Sequence, residues 1–497
     1  MTGTHFTERV AALIAPLLPA HSSILIGLSG GVDSVVLLHL LHRLAPRFSW
    51  QLSALHVHHG ISPNADAWAV FCADLCARHL VSLHIEHVDI APLRAHGIEA
   101  AARKLRHAAF ARQACDFVAL AHHADDQIET LLLQLLRGAG VRGASAMPVL
   151  SFQRYRMAKL PLPDGRAASP NFVRPLLHCS RQEILDYAAV HKLHWIEDES
   201  NADDSYPRNF LRHRVMPLLG ETFPACRDTL ARSAQHFAEA SELLDDLARL
   251  DAPDLFSSSA RGITSDLVTV VGQRSQMASS FTGGAGRAGR EMVGGYDVTL
   301  EVSRLQSLPH SRAKNLLRYF LHSIAAPMPQ VVQLNDMLQQ LCNARQGAAV
   351  CIEYGDGGWQ VRRYRGRVYA LRALGDLDRS IILPWQGEAE LDWPALNMWL
   401  RFDTTQTSGI SMTKLQRAPV TLRLRQGGET LRPHTNAATR TLKNLLQEHH
   451  VPPWQRDRLP LLYCGEELVC APGVAIAAEY QVAAGEAGVK LEVGKRR

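Results

Sequence analysis

The stretch Ile24-Leu25-Ile26-Gly27-Leu28-Ser29-Gly30-Gly31-Val32-Asp33-Ser34 decides the fold. Its apolar run has the length of a buried strand and stops at Ser29. A glycine pair follows, and apolar residues then recur at helical spacing from Ser34 to Leu44. Strand, glycine turn and helix together aim backbone N–H groups at an anion. Gly30 and Gly31 carry no Cβ, so phosphate oxygens can approach the main chain closely. Ser29 and Ser34 add hydroxyl donors, with Val32 between them in the same loop. Asp33 can hold a magnesium ion between phosphates. The Gly-Lys-Ser/Thr ending of a Walker loop is absent. A glycine-rich βα turn without a ligand is the plain alternative. The ordered set of strand, glycine pair, acid and hydroxyls favours a phosphate site.

A lead-in helix is predicted over residues 7–18. A second strand, Gln51 to His56, runs into His56-Val57-His58-His59-Gly60. Following a βα unit, it becomes a parallel neighbour with its loop at the same sheet edge. Helix 64–80, strand Ser82 to Asp89, helix 97–114 and strand Phe117 to Ala121 come next. This alternation predicts an α/β fold with a doubly wound parallel sheet and ligands outside the carboxyl ends of the strands.

The second chemical stretch is Ala121-His122-His123-Ala124-Asp125-Asp126-Gln127-Ile128-Glu129-Thr130. Ile128, Leu131, Leu132, Leu135 and Leu136 make one apolar helix face. If the helical turn reaches back to His122, then His122, Asp126 and Glu129 share one stripe. An imidazole and two carboxylates there suit metal binding, general-base work or holding an ammonium group. A capped helix with solvated acids is the alternative, since first-turn acids are favoured anyway. The five histidines at 56, 58, 59, 122 and 123 lack a second paired element of zinc-site type.

Further on, Arg137-Gly138-Ala139-Gly140-Val141-Arg142-Gly143 reads as a flexible basic loop, and residues 159–170 as a hairpin or loop. Tyr206 to Arg214 packs Arg208, Arg212 and Arg214 together, for salt bridges, RNA phosphates or a leaving pyrophosphate. Residues 225–250 predict a long amphipathic helix. Residues 253–297 are Ser-, Gly- and Thr-rich without a period and read as a mobile insertion. Helices 309–325 and 329–344 and a hairpin, Ala348–Tyr354 with Gly358–Leu371, follow. Residues 385–497 are strand-rich with one helix. The organisation expected is 1–220, 221–375 and 385–497.

The 497 residues exceed one ordinary domain. A net charge of +5 with 24 His allows a nucleic-acid partner without demanding one. Nine scattered Cys without a Cys-x-x-Cys pair suit a reducing cytosol. No signal-peptide layout or bilayer-length apolar run is present, so a cytoplasmic protein without a membrane partner is expected. A homodimer stays open.

The Ser29–Ser34 string resembles the pyrophosphatase loop of enzymes that split ATP into AMP and pyrophosphate. With His56–Gly60, Glu99–Arg103, His122–Thr130, Arg137–Gly143, Arg174–Leu177, Asp198–Asn201 and Arg208–Arg214, the chain resembles the tRNA(Ile)-lysidine synthetases. The resemblance implies an adenine-nucleotide hydrolase-like sheet, a helical middle domain and a small mixed α/β C-terminal domain that grips tRNA. It implies use of ATP and Mg2+ to adenylate the wobble cytidine of an isoleucine tRNA with a CAU anticodon. Free lysine then displaces AMP. Carried onto this sequence, it gives ATP binding to Ser29, Gly30, Gly31, Val32, Asp33 and Ser34, with Asp33 on the metal. His56 and His58 lie against the adenine, and Arg103 reaches nucleotide or cytidine. His122, Asp126, Glu129 and Arg208 join Asp33 in the catalytic centre. The resemblance does not divide roles between Asp126 and Glu129. In the C-terminal module, Arg423, Arg425, Arg440, Lys443, Arg456 and Arg458 are candidate phosphate contacts. An internal salt-bridge turn is the alternative for Arg456 and Arg458.

Overall fold

A computed structural model describes residues 3–91, 98–151, 170–255, 298–345, 348–355, 358–405, 408–483 and 485–495. The chain divides into two compact units, Met1–Leu247 and Ala248–Arg497. No helix among the described residues is long and apolar enough to cross a membrane.

In the first unit the elements are α1 (Gly3–Ile14), β1 (Ser23–Gly27), α2 (Val32–Phe48), β2 (Gln51–His58), α3 (Ala65–Arg78), β3 (Ser82–His87), α4 (Ile98–Ala111), β4 (Phe117–Ala119), α5 (Ala124–Leu136), α6 (Val141–Ala144), β5 (Leu150–Ser151), β6 (Asn171–Val173), α7 (Arg181–Val190), α8 (Pro207–Phe210), α9 (Met216–Thr222) and α10 (Cys226–Asp251). The strands form one sheet in the order β3-β2-β1-β4-β6-β5. All its pairings are parallel except β5 with β6. β1 is apolar on both faces because both are covered. Ile24 and Ile26 face a core with Val36, Leu37, Leu40 and Leu41 of α2, whereas Leu25 faces Ala109 and Phe110 of α4. The chain builds outward from β1 to β3, then crosses back to place β4 on the other side of β1. Loops leaving the carboxyl ends of β1 and β4 therefore diverge and leave a crevice between them.

The covered back of α2 carries a ring cluster. His39 Nδ1 lies 3.0 Å from Tyr187 Oη, and its ring sits 4.8 Å from His191 and 5.8 Å from His79. His42 packs on His79, and Arg43 Nη1 is 3.2 Å from His191 Nε2. Burial, then the neighbouring His191, His79, Arg43 and His42, push His39 down from 6.5 to about 4. The unfolded chain thus takes up this proton first on acidification. Stability from the neutral ring is complete above pH 6.5 and is lost as pH falls toward about 4. Replacing His39 with Gln is expected to flatten the fall in melting temperature across that window, measured by thermal unfolding at a series of pH values.

In the second unit, β7 (Leu300–Glu301), β8 (Val350–Tyr354), β9 (Trp359–Tyr364) and β10 (Arg367–Arg372) form a sheet ordered β7-β10-β9-β8. Helices His310–Ser323 and Val331–Asn343 cover it through Leu316, Phe320 and Leu338, against Val361 and Val368. The arm expected over Gly358–Leu371 is two strands. They are joined at Arg365 and Gly366, whose φ values of 48° and 73° make a tight hairpin turn. Asp356 and Gly357, between the two arms of the expected hairpin, lie outside the described residues, as do 256–297 of the expected insertion and 152–169 around the expected loop. The remainder is antiparallel. One sheet contains Ile382–Trp385, Val420–Arg423, Leu461–Cys464, Glu467–Ala471 and Ala475–Ile476, and another Glu390–Trp393, Met398–Thr405, Gly488–Lys495 and Ile410–Ser411.

Candidate active site

The loop after β1 is tied to itself by hydroxyls. Ser34 Oγ accepts from the Gly30 N–H at 3.1 Å, donates to the Gly31 carbonyl at 2.9 Å and lies 3.2 Å from Ser29 Oγ. Ser29 Oγ accepts from the Gly31 N–H at 3.4 Å. Gly30 adopts φ +92°, and a Cβ there would come within 2.7 Å of Ile196 Cδ1. Gly31 is the N-cap of α2 and has no side chain to cap it. The first-turn amides of a 17-residue helix are thus left for an anion.

Asp33 stands in that first turn, 30% exposed, with Oδ1 buried and without a hydrogen-bond partner. Burial raises it above the usual carboxylate range and Asp126 adds to this, while His123, Arg181 and Arg212 oppose. Across the crevice, α5 begins at Ala124 with His123 as N-cap. It does not reach back to His122, because the Asp126 carboxylate accepts the His123 N–H at 3.0 Å and closes the turn there. The expected single helical stripe is corrected accordingly. His122 sits on the segment between β4 and α5, half-buried, with its Nδ1 buried and unpartnered. Burial and the cations Arg174, Arg208 and Arg103 hold its pKa well below the ordinary value, against Asp126. Burial alone would raise Asp126. The neighbouring His123 and Arg208, with the His123 N–H that it accepts, bring it below its usual range instead.

Glu129 is buried, with a side chain 2% exposed. Arg208 Nε donates to its Oε2 at 2.6 Å, and Arg212 donates from Nε to Oε1 at 2.7 Å and from Nη2 to Oε2 at 3.1 Å. Both guanidinium groups also approach Asp126 Oδ1, at 3.5 and 3.6 Å. Burial would depress Arg212, but Glu129, Asp126 and Asp33 more than reverse it. The two arginines stand four apart across α8 and a π-helical turn, Leu211–Val215. Such turns are frequent at functional sites. At the far end of α5 the expected apolar face is not covered, since Leu135 and Leu136 are exposed.

Asp33, His122, Asp126, Glu129 and Arg208 are therefore brought into one cluster. His56 lies within β2, two residues before its end, buried, with Nδ1 2.9 Å from the Leu28 carbonyl. His58 lies at the end of β2, with Nε2 3.0 Å from Asp66 and its ring against His87. Arg103 is exposed on α4 and acts electrostatically on His122 and Arg174. Two residues of this centre, His123 and Arg212, were not among the expected site residues. The four-residue spacing of Arg208 and Arg212 was the available signal for the second; nothing in the pattern distinguished His123 from His122.

Most of the basic candidates downstream are engaged internally. Arg142, expected in a flexible basic loop, lies in the short helix α6 and pairs with Asp245. Arg423 pairs with Glu466, Arg425 with Glu429 and Arg440 with Glu448. Arg456 donates to the Val451 carbonyl and Tyr364 Oη, and Asp457 accepts from Arg379.

A PP-loop domain model matches residues 2–219, a TilS substrate binding domain model 300–369 and a TilS substrate C-terminal domain model 420–493. A tRNA(Ile)-lysidine synthase of Nitrosomonas europaea is 38% identical over 464 residues, 93% of this chain and 90% of the relative. The chain belongs to the tRNA(Ile)-lysidine synthase family. A second member, from Aromatoleum aromaticum, is 38% identical over 97% of this chain and 99% of its own length. Like them, this family member is an ATP-dependent ligase built on a PP-loop domain. Among solved structures, the U34-tRNA thiolase NcsA from Methanococcus maripaludis is 18% identical with a TM-score of 0.38, covering 48% of this chain and 80% of that one.

Proposed function

We propose that this chain joins free lysine to C2 of the wobble cytidine of tRNA(Ile) with a CAU anticodon, through an adenylated cytidine. The observation that carries this reading is the meeting of the phosphate loop and the acid helix: Asp33 and Asp126 each lie within 4 Å of His123, at 3.8 and 3.6 Å. In the first step the C2 oxygen attacks the α-phosphorus of ATP and pyrophosphate leaves with the bonding electrons. In the second the lysine Nε attacks C2, the C2–O bond breaks and AMP leaves. The loop amides and Ser29 and Ser34 bind the phosphates. The orphaned Oδ1 of Asp33 suits a hard cation shared with phosphate oxygens, so Asp33 would hold Mg2+. When bound, that ion neutralises charge on the phosphates.

Asp126 and Glu129 take different parts in this reading. Glu129 is saturated by two guanidinium groups and serves to hold Arg208 and Arg212 beside the reacting phosphates. Asp126, kept ionised, binds the lysine ammonium and receives a proton as the C–N bond forms. His56 and His58 border the adenine, and Arg103 with His122 faces the cytidine. An anticodon loop presents its base unstacked, which makes the target accessible.

The test is incubation with ATP, labelled lysine and a tRNA(Ile) transcript bearing CAU, followed by nucleoside analysis. Label is expected in a lysine–cytidine nucleoside, with pyrophosphate release that depends on the tRNA. Folded, tRNA-binding protein that gives no labelled nucleoside would overturn the reading.

A further inference from the structure

His123 stands where the two halves of the crevice meet. Its side chain is 2% exposed. Its backbone is extended, at φ −127° and ψ −177°, as an N-cap residue requires. Three carboxylates from two elements surround the one ring. Nε2 lies 3.8 Å from Asp33 Oδ2 and 3.6 Å from Asp126 Oδ2, and Nδ1 lies 3.7 Å from Asp125 Oδ2. Asp125 is itself anchored, accepting the Arg181 N–H at 3.1 Å and pairing with Arg227. Nδ1 faces that fixed acid without a hydrogen bond, and the opposite edge of the imidazole spans the gap between the acid of the phosphate loop and the acid of α5.

Building on the proposed function, we infer that His123 is a positioning residue that sets the separation of Asp33 and Asp126. It thereby holds the phosphate end and the amine end of the site in one register. Without the ring, two like-charged carboxylates face one another across an empty space and move apart. Both half-reactions depend on that spacing, because the cytidine must lie in reach of the α-phosphorus first and of the amine second. A misplacement near 1 Å at such a site can cost about a hundredfold in rate.

The experiment uses the full-length protein and compares His123→Ala and His123→Gln with the wild type. For each, tRNA-dependent ATP–pyrophosphate exchange, lysine transfer, tRNA affinity and thermal unfolding are measured. His123→Ala is expected to lower kcat of both half-reactions by about a hundredfold with tRNA affinity unchanged. His123→Gln, whose amide reaches the place of Nε2, is expected to regain about tenfold in both. If the alanine variant does not fold, the glutamine variant still reads, at about a tenth of wild-type kcat in both steps with KM values retained. Loss in only one half-reaction, or a well-folded glutamine variant no better than the alanine variant, overturns the inference. A wild type that makes no lysidine overturns instead the reading of the function beneath it.

Discussion

Asp33→Asn is expected to lower adenylation on the order of a thousandfold and, at neutral pH, to raise the melting temperature. Both effects follow from one feature. The Asp33 carboxylate is held against a helix N-terminus with one oxygen buried and unpartnered, beside a second acid. Burial places its folded pKa above that of an ordinary, solvated carboxylate. The folded protein thus binds this proton more tightly than the unfolded chain does. Stability is lost as pH rises through the unfolded value toward the folded one, and the deficit persists at neutrality. Asparagine has the same shape and no charge, so it removes the deficit. It also removes the anionic ligand that the phosphate site requires. ATP–pyrophosphate exchange and tRNA filter binding separate the roles. Exchange should vanish while binding stays near the wild-type value. Exchange that survives, or tRNA binding that fails, would contradict the placement of Asp33 on the triphosphate.

The parts legible in sequence were those set by local chemistry. A buried apolar run, two glycines and a helix start determine one another within eleven residues, so Ile24–Ser34 could be read directly. The doubly wound parallel sheet also followed, because strands that alternate with helices pair in parallel with helices on both faces. The start of α5 did not follow. Helical spacing allowed a turn reaching back to His122, but the His123 N–H donates to the Asp126 carboxylate and the helix begins after His123; capping is decided by geometry rather than period. Glu129 was legible as an acid near the site but not as a buried one. Its partners lie about eighty positions away on α8 and the π turn, and no local pattern reports that distance. The basic residues of the second unit show the same limit. Arg423, read as a candidate phosphate contact, pairs with Glu466. Composition gives the charge of a segment, while only the fold says which charges have already been matched.

Glu129→Ala is expected to destabilise the unit Met1–Leu247 by about 3–5 kcal/mol, a fall in melting temperature on the order of 10 °C. The carboxylate occupies a buried position on α5 and receives three hydrogen bonds, at 2.6, 2.7 and 3.1 Å, from two guanidinium groups. Truncation leaves Arg208 and Arg212 with Asp126 as their shared acid, at 3.5 and 3.6 Å. One negative charge then faces two positive ones in a poorly solvated site. The cost comes chiefly from the unmatched cation rather than from the lost contacts, since a buried pair and an apolar replacement are often close in free energy. A double substitution tests this directly. Glu129→Leu combined with Arg212→Leu keeps the volume apolar and leaves Arg208 opposite Asp126, one charge against one. It should melt well above Glu129→Ala while remaining inactive in lysine transfer, because the second guanidinium is gone. Urea unfolding of the single and double variants gives the coupling free energy. A Glu129→Ala protein that unfolds at the wild-type urea concentration would show that the two arginines find other partners, and that Glu129 is free to serve the lysine directly.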